Sequence, residues 1–93
     1  MIPIENFIED AIRKLRKLEV YSRLDIRTYK KDRSIVIEKL EEGYNLYEDG
    51  FEKEEFKNLS QEELKKLLKV LQRKEFPRSN MVRFYVLEGK DVR

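Results

Sequence analysis

The chain has 93 residues, 40% of them hydrophobic, 11% aromatic and 43% charged, with a formal net charge of +2 and neither histidine nor cysteine. This length sets a single domain with an adequate core, and the apolar content is too high for a disordered chain. The two missing residue types exclude disulfides, thiolate nucleophiles, histidine-based triads and zinc sites built on Cys or His.

Charge is sorted along the chain. Residues 1–12 carry −3, residues 13–33 carry +6, residues 34–63 carry −7 and residues 64–93 carry +6. Blocks of opposite sign attract polyanions or one another, within a molecule or between two. Abundant Lys, Arg and Glu with few Asn, Gln, Met or Cys is a composition typical of thermophilic proteins. No apolar run is long enough to span a bilayer, and the N-terminal residues lack a basic segment followed by an apolar one. Together with the missing cysteines, these features point to a cytoplasmic protein.

Residues 3–19 predict an amphipathic helix. Ile4, Phe7, Ile8, Ala11, Ile12, Leu15 and Leu18 fall at spacings of three and four and form one stripe. Pro3 suits the first helical position, and acids lie early and bases late, matching the helix dipole. From residue 23 the period changes to two. Leu24, Ile26 and Thr28 alternate with Asp25, Arg27 and Tyr29, and a polar turn over residues 30–33 follows. Ile35-Val36-Ile37 is β-branched and reads as a strand, and Tyr44 to Tyr47 follows a Glu42-Gly43 turn. Asp49-Gly50 signals a hairpin. Residues 51–57 read as a further strand or as a helical turn, because Glu and Lys dilute the pattern.

Residues 60–75 predict a second helix. Ser60 and Glu63 form a capping box, Leu59 and Leu64 a hydrophobic staple, and Leu64, Leu67, Leu68 and Leu71 the buried stripe. Ser60 is therefore read as a cap and not as a nucleophile. Pro77 stops the helix and pushes Phe76 toward an extended shape. Residues 81–87 alternate Val82, Phe84 and Val86 with Arg83, Tyr85 and Leu87, a last strand. The order α-β-β-β-(β)-α-β predicts an α+β two-layer sandwich: an antiparallel sheet of four or five strands with both helices on one face. Helix, three strands, helix is also the order of double-stranded RNA-binding domains. The likeness stops at topology, because the second helix opens on the acidic Ser60-Gln61-Glu62-Glu63 and a strand follows it.

If Leu24, Ile26, Tyr44, Leu46, Val82, Phe84 and Val86 face the helices, then Arg27, Tyr29, Tyr47, Arg83 and Tyr85 face away. Tyr and Arg together favour protein contacts, which predicts a homodimer. They also suit unpaired RNA, with rings stacking bases and guanidinium groups holding phosphates. A third reading is plain sheet chemistry, since tyrosine favours strands and arginine keeps an open face soluble. Arg13, Arg16 and Lys17 on one helix, Lys65, Lys69 and Arg73 on the other, and Arg78 beyond it are candidate phosphate contacts; charged outer faces are also what solvated helices normally show. Glu52 and Glu54 on one strand face, near Glu41, Glu42, Glu48 and Asp49, are the candidates for Mg²⁺- or Mn²⁺-dependent hydrolysis, although clustered surface acids are usually just solvated. No glycine-rich phosphate loop occurs and no cofactor is implied. The reading that follows is a small non-enzymatic interaction module that self-associates through its Tyr/Arg face.

Overall fold

A computed structural model describes residues 2–28, 33–50, 52–77 and 80–88. A two-residue strand, β1 (Ile2–Pro3), leads through a 3-10 turn (Ile4–Asn6) into α1 (Phe7–Lys17). Strands β2 (Arg23–Thr28), β3 (Ser34–Leu40), β4 (Gly43–Asp49) and β5 (Lys53–Leu59) follow, then α2 (Gln61–Glu75) and β6 (Met81–Leu87). The six strands form one antiparallel sheet in the order β1-β6-β2-β3-β4-β5. The α+β class is as the pattern predicts, but the sheet has more strands than the four or five expected.

β1 is the strand the sequence pattern missed. Two residues are too few to show alternation, and Pro3 by itself suits the first helical position. Instead Pro3 sits opposite Met81 at the sheet edge, where a residue without an N–H is tolerated. The Ile4 amide donates to the Asn80 carbonyl at 2.8 Å, so regular helix begins only at Phe7, four residues later than predicted. At the other end Leu18 is already extended. Lys39 of β3 reaches over and donates to the carbonyls of Arg16 and Leu18 at 3.1 and 2.8 Å, supplying donors for the end of α1.

β5 shows why its pattern was weak. Tyr44 lies opposite Leu59, yet Leu46 lies opposite Phe56, so β5 carries one extra residue. Asn58 takes a left-handed backbone, with φ 57°, and its amide donates to the Asn45 side chain at 3.0 Å. This bulge lets Phe56 and Leu59 both reach the core despite their odd spacing, which breaks the period-two signal. The β3–β4 turn uses Gly43 at φ 110°, where a Cβ would come within 2.5 Å of the Leu59 carbonyl oxygen.

The helices lie side by side and antiparallel. Glu9 approaches Lys65 at 3.6 Å, Arg16 donates to Gln61 at 3.4 Å, and Phe7 meets Phe76 edge-on at 5.9 Å. Phe7, Ala11, Ile12 and Leu15 of α1 pack with Leu64, Leu68 and Leu71 of α2 over Leu24, Ile26, Ile35, Ile37, Leu46 and Val82 of the sheet. Truncating one of these fully buried leucines to alanine costs about 2–5 kcal/mol. Leu67, predicted in the stripe, is only partly buried at its margin. The capping box at Ser60 forms as predicted, with bonds of 2.9 and 3.1 Å. Phe76 adopts φ −123° and ψ 38°, short of the extended shape expected before Pro77, and its ring is buried. Among the described residues no helix is long and apolar enough to cross a membrane.

Candidate interaction surface

The sheet face away from the helices is organised by register. One lateral row runs Leu87, Arg23, Glu38, Asn45. The next runs Tyr85, Asp25, Val36, Tyr47, Glu55, and the third Arg83, Arg27, Ser34, Asp49, Lys53. Arg27, Tyr47, Arg83 and Tyr85 therefore share this face; Tyr29 lies outside the described residues. Tyr85 and Tyr47 occupy the same row, separated by Asp25 and Val36.

The cations of the face lean on its rings. The Arg27 guanidinium lies 5.9 Å from the Tyr85 ring centre and donates to Asp25 at 3.0 Å. That hydrogen bond, and then the charge of Asp25, hold Arg27 protonated even more firmly than usual. Arg23 and Lys57 both approach the Tyr47 ring, at 5.4 and 5.6 Å. The Tyr47 hydroxyl donates to Glu38 at 3.2 Å, and Asn45 donates to the same carboxylate oxygen at 3.1 Å. Tyr47 is thus engaged by its own sheet, which leaves it a poor platform for a base. Tyr85 is the more open of the two.

Openness is concentrated on β6. Its outward row is Met81, Arg83, Tyr85 and Leu87, and Met81, Tyr85 and Leu87 are 36%, 39% and 50% exposed. Val20 and Tyr21, also exposed, precede β2 at the Leu87 end of this strand. Single exposed apolar side chains are ordinary; here three lie in one row on one strand.

The basic helix ridges do not merge. The antiparallel arrangement sets Arg16 against the first turn of α2, which carries Glu62 and Glu63, and Lys65 against Glu9. Arg13 pairs with Asp10 at 2.9 Å. Lys17, Lys69 and Arg73 are exposed, and Arg78 lies outside the described residues. The acids of the β4–β5 region do not gather as the sequence suggests. Glu52 sits in the turn before β5, not on the strand with Glu54, and pairs with Lys74 at 3.1 Å. Among the described residues no three acidic side chains are grouped to hold a metal ion.

Sequence reasoning missed one buried charged cluster. Glu48 and Glu75 are 3% and 1% exposed beneath the end of α2. Lys74 comes within 3.3 Å of Glu48, Arg33 donates to the Glu75 carbonyl at 3.1 Å, and the Glu52 amide donates to Glu75 at 3.4 Å. Burial, reinforced by the neighbouring Glu75 carboxyl, pushes the Glu48 carboxyl up to about 7. The signal was present: Glu48 continues the inward series Tyr44, Leu46, and Glu75 continues the helical stripe Leu64, Leu68, Leu71. No known protein family, no curated protein and no solved structure matches this chain.

Proposed function

We propose that this chain is a small, non-enzymatic interaction module that self-associates through the Tyr/Arg side of its sheet, where β2 and β6 lie. The outward row of β6 carries this reading: three exposed apolar side chains flank Arg83, and the stacked Arg27–Tyr85 pair lies alongside. Tyrosine gives a large contact area at small cost in side-chain freedom, and tyrosine and arginine both concentrate in the centres of protein contacts. The acidic middle and basic flanks of the chain favour pairing of copies over a uniformly charged surface that would repel them.

Single-stranded RNA is the competing occupant, supported by Arg83 lying directly opposite Arg27. Solution mass by light scattering, at low and high salt, with and without mixed-sequence RNA, separates the two. A dimer without RNA supports self-association. A monomer at every concentration that gains mass only with RNA, at low salt, replaces this reading with nucleic-acid binding.

A further inference from the structure

Beyond Val82, no strand among the described residues lies along the outer side of β6. β2 occupies its inner side, and β1 covers only Met81 and Val82. Exposed strand edges are templates for another strand, and proteins normally shorten, charge or cover them. This edge is neither short nor strongly charged: Arg83 to Leu87 holds one base, and its outward side chains include the open Tyr85 and Leu87.

We infer that the occupant of this edge is a second copy of the same strand, paired antiparallel about a two-fold axis at Tyr85, so that two six-stranded sheets join into one. The inference rests on the self-association proposed above but moves the contact from the Tyr/Arg face to the open edge of β6, so that only Arg83, Tyr85 and Leu87 of that face lie at the seam. Placing the axis at Tyr85 sets Phe84 opposite the second copy's Val86, and Arg83 opposite its Leu87. The five paired positions end where β6 ends. β1 of each copy stands beyond Val82 and blocks any register slipped further in that direction. Matched parity keeps both helical layers on one side of the joined sheet.

Charge complementarity favours a second copy over an unrelated strand. α1 starts beside the Met81 end of β6 and leads into β2 at the Leu87 end. Its middle is therefore roughly level with Tyr85. Glu9 and Arg16 face α2, so by the 100° step of the helix Asp10, Lys14 and Lys17 lie on the opposite flank, toward the β6 edge. A two-fold axis normal to the sheet runs the two α1 helices antiparallel. Each Asp10 then comes beside the basic Lys14–Lys17 end of its counterpart. Such self-complementary contacts are what closed two-fold dimers require.

The test uses the full chain, whose lack of cysteine makes any introduced thiol unique. Opposed Cα atoms in an antiparallel pair lie about 4.5–5.5 Å apart, inside the range a disulfide spans. Tyr85→Cys is expected to oxidise rapidly to a covalent dimer. Leu87→Cys is expected to stay reduced under the same conditions, because its two copies would stand ~13 Å apart along the strands. Circular dichroism on both variants confirms that they fold. If the wild-type chain is a dimer by light scattering and Tyr85→Cys does not cross-link, the edge geometry is wrong while self-association stands. If Leu87→Cys cross-links as fast, the register is wrong. If the wild-type chain is a monomer throughout, both readings fall. Raising NaCl from 50 to 500 mM is expected to weaken the dimer severalfold; no change removes the helix-pairing argument.

Discussion

The two regions where this chain concentrates interacting charges work by different physics. On the outer sheet face, Arg23 and Arg27 sit over tyrosine rings and beside Glu38 and Asp25, with the two arginine side chains 35% and 39% exposed. Beneath α2, Glu48 and Glu75 are withdrawn from water, and the neighbouring Lys74 and Arg33 offset only part of the penalty. The interior group is therefore the one that responds to neutral pH, through Glu48. Burial decides which behaviour a glutamate has, not its neighbours in sequence.

The largest expected effect breaks the buried side. Glu48 holds its proton to about pH 7 when folded, against an ordinary value of 4.5. A group whose folded value is raised binds its proton more tightly in the native state. Its contribution is therefore most favourable below pH 4.5, is lost as pH rises toward 7, and is flat above that. The loss is at most roughly 3 kcal/mol. Urea unfolding of Glu48→Gln and wild type should agree near pH 4 and differ by up to that amount at pH 8, with Glu48→Gln the more stable. A constant difference across this range contradicts the assignment.

Lys74→Met comes next and acts in the opposite direction. It removes the cation nearest Glu48, so it should lower the urea midpoint at pH 8 and leave it nearly unchanged near pH 4. Equal losses at both pH values would show that Lys74 contributes by packing. On the outer face the changes should be smaller and insensitive to pH. Asp25→Asn removes the partner of Arg27 and should cost about 0.2–1 kcal/mol, alike at pH 5 and pH 8. Arg23→Met removes the stacking on Tyr47 and should cost about 0.5–1 kcal/mol, again without pH dependence. A pH-dependent loss in either variant would erase the distinction between the two regions.

Much of the fold was legible because local signals agreed. β6 was read with its observed limits, the Ser60 capping box marked the start of α2 to within a residue, and the inward series of β2 and β4 followed period two. Other features depend on contacts distant in sequence. β1 is a strand only because β6 lies beside it. β5 was ambiguous because the bulge at Asn58 shifts its inward side chains. Placing Tyr47 and Tyr85 in one lateral row required the register of four strands, which no local pattern encodes. A glutamate in a strand or helix reads as surface, so Glu48 is grouped with the turn acids and Glu75 goes unremarked, although each occupies an inward position.

Of the described strands β6 comes last in the chain, yet it lies between β1 and β2, the first two. As the polypeptide leaves the ribosome, the meander from β2 to β5 and both helices can form while a slot stays open in the layer beneath α1. Closure waits until Val82 and Phe84 arrive to fill it. A transcript cut short before that point should yield a chain with an exposed apolar trough and not a smaller stable protein.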